Sequence, residues 1–314
     1  MSAIGQAVEE YVAVRRSLGF ELRLPASALR RFAAFMEAEG AAFITAELAL
    51  SWATLPARAQ PATWAGRLAV VRRFAAWRRA SDPRTEVPSA ELLPHRYRRK
   101  PPYVYSDEEI REIVRSAAAL PSAQGLRALT YATLFGLLAV SGMRVSEALA
   151  LDLADVDLEQ GMLTIRRTKF GKSRLVPVHP STTAALGRYL RERERLLPGP
   201  ATQGFFVAER RGTRITEWSA RYTFAKICQR SGLREAASGH GRGPRLHDMR
   251  HRFAARTLID WYRAGLEVER ELPKLATYLG HVHVNETYWY LEAVPELLEL
   301  ACERLLAEPE EVGS

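Results

Sequence analysis

The chain has 314 residues, 47% hydrophobic and 26% charged, long enough for two cores and too apolar for a disordered polymer. Its formal net charge of +9 and pI near 9.8 point toward a polyanionic partner, because clustered Lys and Arg release counterions from a phosphate backbone. No run reaches the ~20 apolar residues of a membrane span, and MSAIGQAVEEYV lacks an export signal, so the expected setting is the cytoplasm with no membrane partner.

The first eighty residues read as four helices: Val8 to Leu18, Pro25 to Glu39, Thr45 to Thr54 and Thr63 to Ala80. In the last, Val70, Val71, Phe74 and Trp77 recur at helical spacing, while Arg67, Arg72, Arg73, Arg78 and Arg79 fill the remainder. One face packs and the other is cationic. From Ser81 the sequence becomes SDPRTEVPSAELLPHRYRRKPPYVYS, with five prolines and a basic run from His95 to Lys100. Proline stiffens the chain and removes donors, so an extended linker is expected over 83–102. Its charges are either a solvated face or contacts to a phosphate backbone.

Ser106 with Glu109 three residues on is a capping box that opens a helix through Ile110, Ile113 and Val114, so a second domain spans 103–314, after a first of 1–82. Ala128 to Met143, the longest uncharged run, reads as a buried core helix. Near Ala154 the period changes to 2, and Asp155 to Leu158, Met162 to Arg167 and Ser173 to Val178 read as short antiparallel strands. Helices resume after His179-Pro180. The two cysteines, Cys228 and Cys302, lack metal-ligand spacing and read as small hydrophobes in a reducing compartment.

Three segments carry chemistry: SGMRVSEALAL from Ser141, the hairpin RRTKFGKSRLVPV from Arg166, and RLHDMRHRF from Arg245, the last followed by LGHVHVNETYWYLEA from Leu279. Singly each has a bland reading. Arg144 beside Glu147 is an ion pair, Lys169 a solvated hairpin tip, and His247 with His251 a helical pair that could bind zinc but lacks a third ligand. Together they suit phosphodiester cleavage without a metal. Arg144 and Arg250 would bind the nonbridging oxygens, Lys169 would protonate the leaving oxygen, and His247, with His281 as a second group, would assist a tyrosine nucleophile.

These motifs, in this order, resemble the tyrosine recombinase or phage integrase family over about 103–300, and the stretch YLGHVHVNETYWYLEAVPELL is most similar to members carried by transposable elements. The resemblance implies a mainly α protein, a helical N-terminal core-binding domain plus a mixed α/β, mostly α, catalytic domain with a small antiparallel sheet. It implies Arg144 and Arg250 as phosphate clamp, Lys169 as general acid with Lys172 as the alternative, and His247 in proton transfer. His281 falls on the phosphate, and Tyr290, nine residues on, becomes the nucleophile of a 3'-phosphotyrosyl link. His251 supports the second arginine box. Tyr288, two residues from Tyr290, diverges by about 200° on a helix and cannot face the same phosphate. The implied partner is double-stranded DNA, bound by a tetramer of this chain or an assembly with sister recombinases, with no cofactor and no metal. Expected DNA-facing cations are Arg72, Arg73, Arg78, Arg79, Arg96, Arg98, Arg99, Lys100, Lys172 and Arg174. The tail helix after Pro295 docks either on its own domain or on a neighbouring protomer.

Overall fold

A computed structural model describes residues 2–57, 59–94, 102–166, 173–197, 199, 202–234, 243–281 and 283–307. The chain divides into two compact units, Met1–Lys100 and Pro101–Ser314.

The first unit holds α1 (Ala3–Ser17), α2 (Arg23–Ala38), α3 (Ala46–Thr54) and α4 (Pro61–Arg78). α1 starts five residues before the predicted Val8, because the Ser2 hydroxyl accepts the Gly5 N–H at 3.1 Å and Ile4 and Ala7 extend the apolar face. Val8, Leu29, Phe32, Met36, Trp52, Val71 and Phe74 close the core, each contributing roughly 1.5–3 kcal/mol of burial as a large side chain. Arg67 does not stay on the cationic face: its guanidinium stacks 3.8 Å above the Trp52 ring and donates to the Trp52 carbonyl at 2.6 Å.

The expected linker needs correction over its first half. Residues 82–93 are docked on the helices: the Glu86 N–H donates to Ile44 O at 2.8 Å, its carboxylate accepts the Ala46 N–H at 2.7 Å, and Val87 and Leu93 pack on the core. The prolines do exclude an α-helix, leaving a single 3-10 turn at Ala90–Leu92, but Glu86 caps the start of α3 and so secures the segment. The basic run from His95 to Lys100 lies outside the described residues.

The second unit begins with α5 (Asp107–Ala118), where both bonds of the Ser106/Glu109 capping box are present, and continues through α6 (Leu126–Ser141) and α7 (Val145–Ala150). A three-stranded antiparallel sheet comes next, in the order β1 (Val156–Asp157), β2 (Met162–Ile165), β3 (Arg174–Pro177). The alternation sends Leu163, Ile165 and Val176 into the core, and the register sets Ile165 opposite Arg174. Then come α8 (Pro180–Leu196), α9 (Glu217–Arg230), α10 (Asp248–Arg263), α11 (Val268–Leu279), α12 (Asn285–Ala293) and α13 (Pro295–Ala307).

Glycine turns close two of these helices. Gly142 ends α6 with φ +59°, and a Cβ there would run into the Phe253 ring; Gly280 ends α11 with φ +69°, and a Cβ would sit 2.7 Å from Arg174 Nη1. α13 packs on α10 of its own chain, with Leu297 fully buried and Arg263 donating to Glu296 at 2.8 Å. Among the described residues no helix is long and apolar enough to cross a membrane.

Candidate active site

Arg144 comes just after the Gly142 turn and enters α7. Its backbone N–H donates to Glu147 Oε2 at 2.9 Å, Nη1 donates to Glu147 Oε1 at 2.8 Å, and Nη2 donates to Gly280 O at 3.2 Å. Its side chain keeps 30% of its surface in solvent. Arg250, in the first turn of α10, is only 2% exposed, and donates from Nη1 to Gly142 O at 2.8 Å and from Nη2 to Leu279 O at 2.7 Å. Arg250 thus ties the turn at the end of α6 to the turn at the end of α11, and Arg144 bonds the second of these turns while following the first in the chain. Burial, then the Arg144 charge, lowers Arg250 to about 10, so it remains a cation at neutral pH.

α10 is held in place from two sides. Asp248 accepts the Arg245 N–H at 2.8 Å and its Nη2 at 2.7 Å, while Arg256 reaches back to Asp107 at the start of α5 at 3.0 Å. These ties fix Arg250 and the histidines flanking it before any ligand arrives.

His247 and His251 meet edge to face with ring centroids 4.8 Å apart. Burial, then the Arg250 charge, pushes His247 down to about 4, and the same two causes push His281 down to about 3. Both are neutral at pH 7, so each can accept a proton or donate one N–H. His281 Nδ1 is 2.7 Å from the hydroxyl of fully buried Thr287, which fixes its ring plane. That ring lies nearly parallel to Tyr290, with centroids 6.3 Å apart and an interplanar angle of 19°.

Tyr290 is 2% exposed and Tyr288 41%, so the two tyrosines of α12 do take opposite faces. The Tyr290 hydroxyl is 3.3 Å from His251 Nδ1. Sequence reasoning put His251 behind the second arginine box and missed this contact. The local sequence held only a weak hint, since His251 and Tyr290 lie 39 residues apart.

The structure therefore brings Arg144, Arg250, His247, His281 and Tyr290 into one cluster. Lys169 and Lys172 lie outside the described residues, as do Arg96, Arg98, Arg99 and Lys100. Of the arginines at the end of α4 and its cap, Arg73 and Arg79 are exposed, Arg72 is half-buried, and Arg78 is engaged with Ser81 at 3.1 Å and Asp82 at 3.9 Å.

Arg174 is a correction. Expected among the DNA-facing cations, it has a side chain 11% exposed, turned inward by the strand alternation. Nε donates to Tyr278 O at 2.8 Å, Nη1 to Glu147 Oε1 at 3.1 Å and Nη2 to Glu147 Oε2 at 2.8 Å. Burial alone would raise the Glu147 carboxyl; the bonds and charge of Arg174, then those of Arg144, overcome it and hold it at about 2. Three guanidiniums around one carboxylate leave excess positive charge, a setting for a tetrahedral anion. Among the described residues no group of three or more His, Cys, Asp or Glu is gathered as metal ligands.

Residues 104–296 match the model of the phage integrase family. A protein of Sinorhizobium fredii, provisionally named integrase/recombinase y4rB, is 50% identical over 97% of this chain and 98% of its own length. The tyrosine recombinase XerD of Caulobacter vibrioides is 32% identical over 76% of this chain and 73% of its own. Among solved structures, the Tn1549 transposon integrase in complex with transposon right end DNA has a TM-score of 0.64 at 15% identity, covering 98% of this chain and 100% of that one. The XerH site-specific recombinase bound to palindromic difH substrate has a TM-score of 0.65 at 20% identity, covering 90% and 78%. At such identities the structural likeness is one of fold.

Proposed function

The chain belongs to the phage integrase family, whose enzymes carry out site-specific recombination, and from that premise we propose that it cuts and rejoins duplex DNA through a covalent 3'-phosphotyrosine. The observation that carries the reading is the fastening of Arg250 to the Gly142 and Leu279 carbonyls and of Arg144 to the Gly280 carbonyl, beside a tyrosine flanked by the His251 and His281 rings.

In this reading the scissile phosphate takes hydrogen bonds from N–H groups of the two guanidiniums that their carbonyl and carboxylate partners leave unused. The Tyr290 oxygen attacks phosphorus while its proton passes to a neutral histidine, and the bond from phosphorus to the 5' oxygen breaks. That oxygen leaves with a proton from Lys169, the role the family motif gives it. The phosphotyrosyl ester keeps the bond energy, so a 5' hydroxyl from another strand reverses the step without ATP. Because Tyr290 is 2% exposed, α12 has to shift for its oxygen to meet DNA. Exchange between two duplexes proceeds through a Holliday junction in a tetramer of this chain or with sister recombinases, in transposition or in integration and excision. The first unit would serve as core-binding domain, with Arg72, Arg73, Arg78 and Arg79 against phosphates.

The test is a recognition-site duplex nicked beside the cleavage point, so that the released strand cannot religate. A covalent protein-DNA adduct should accumulate, disappear in Tyr290→Phe and persist in Tyr288→Phe. An adduct that survives Tyr290→Phe would overturn the assignment.

A further inference from the structure

We infer that Arg174 is a positioning residue for this cleavage reaction: by holding the Glu147 carboxylate and the Tyr278 carbonyl, it leaves Arg144 its charge and its aim for the phosphate. The inference rests on the proposed function of the same site, and it assigns to an interior arginine a part in chemistry it never touches.

The first support is the set of donors around Glu147. This buried carboxylate receives four N–H donors, two from Arg144 (backbone and Nη1) and two from Arg174 (Nη1 and Nη2), which fills its acceptor capacity. Two guanidiniums and one carboxylate carry a single net positive charge. Without Arg174 the carboxylate would face Arg144 alone, a neutral pair, and of the two clamp arginines only Arg250 would offer an incoming phosphate diester an uncancelled charge.

The second support is geometric. Arg174 Nε takes the Tyr278 carbonyl while Arg144 Nη2 takes the Gly280 carbonyl, so both arginines hold the turn that leads into His281. Gly280 has no side chain where the Arg174 guanidinium lies, and a Cβ there would sit 2.7 Å from Nη1. Arg174 also opens β3 immediately after the segment that carries Lys169 and Lys172 in the sequence. One side chain therefore ties the start of β3 to the first arginine box and to the histidine turn.

A charge square separates this role from simple structural support. On the nicked duplex, Arg174→Gln should slow single-turnover adduct formation by about 30-fold while changing the Kd for DNA by less than about threefold. Adding Glu147→Gln to it restores the single net positive charge, and the double variant should return to within about fivefold of the wild-type rate. A merely structural arginine predicts the opposite, a double variant as slow as the single one or slower, and that result would overturn the inference. So would a wild-type rate in Arg174→Gln. Should Arg174→Gln fail to fold, Arg174→Lys is the variant to read. It keeps the charge but cannot span both carboxylate oxygens and the Tyr278 carbonyl, so it should be about tenfold slow; a wild-type rate in it overturns the inference as well. The wild-type and Tyr290→Phe lanes keep the two readings apart. No tyrosine-dependent adduct in the wild type defeats the proposed function itself, whereas a normal adduct with no response at Arg174 defeats only this inference.

Discussion

Arg250 in the second unit and Arg73 in the first carry the same formal charge under opposite conditions. Arg250 is 2% exposed and held by the Gly142 and Leu279 carbonyls, whereas Arg73 stands exposed on α4. Arg72, Arg73 and Arg79 have no hydrogen-bonding or ionic partner among the described residues. A cation fixed by carbonyls has lost its rotamer freedom before a ligand arrives and works in a low local dielectric, so it can stabilise charge developing in a transition state. An exposed arginine keeps its freedom and its hydration. It can contribute counterion release to affinity, and little to rate.

The largest expected effect breaks the comparison at Arg250. Arg250→Lys keeps the charge but loses the planar fork that reaches both carbonyls and leaves an edge for the phosphate. Adduct formation on the nicked duplex should fall by about 10³-fold, by analogy with loss of a fixed donor at a developing anion. Stability should fall too, since each carbonyl left buried without a donor costs about 1–3 kcal/mol. If Arg250→Lys keeps more than about a tenth of the rate, charge alone is sufficient and the fixed geometry is irrelevant.

The same contrast explains how much could be read from sequence. Wherever a side chain answers to neighbours within one turn, the local pattern was enough: Ser106 and Glu109 form both bonds of the capping box, and Arg144 pairs with Glu147 three residues on. The divergence of Tyr288 and Tyr290 came from helix geometry alone. What local pattern could not show are partners brought from afar. Arg174 and Glu147 are 27 residues apart, and a strand arginine reads equally as surface charge or as interior strut until the sheet decides which face it takes. The docked stretch after Ser81 failed for the same reason. Its prolines announce an extended chain, but only the position of Ile44 O and the Ala46 N–H in the fold turns Glu86 into an anchor. The family motifs nonetheless pointed to residues that the fold gathers into one cluster, because they encode ordered segments, not contacts.

A smaller effect sharpens the other half of the comparison. Replacing Arg72, Arg73 and Arg79 together with alanine should weaken DNA binding by about tenfold at moderate salt and make the plot of log K against log salt shallower by roughly 2 to 3 units. The melting temperature should scarcely move, because surface substitutions away from special features stay within about 0.5 kcal/mol each. The cleavage rate at saturating DNA should also hold. An unchanged salt slope, measured by titrating a labelled duplex, would remove these three residues from the DNA surface.

The smallest effect concerns protons. His247 and His281 are held by burial and by the Arg250 charge at about 4 and about 3, below the ordinary histidine value near 6.5. Between those limits the unfolded chain binds protons at both positions and the folded chain does not, so stability rises with pH across this window. The contribution of this pair is fully present above about pH 6.5 and is lost as pH falls toward the folded values. The first unit offers no such pair, because the sequence of Met1–Lys100 contains one histidine, His95, against six in the remainder. Wild type should therefore lose more in melting temperature between pH 7 and pH 5 than a His247→Gln, His281→Gln double variant; equal losses would show that these rings titrate normally. For the same reason kcat/KM for cleavage, which reports the free enzyme, should show no inflection near pH 6.5 attributable to either ring. An inflection there that vanishes in His247→Gln would mean that His247 sits in water like Arg73, and the distinction between a buried, prearranged site and a solvated binding face would fail at its most sensitive group.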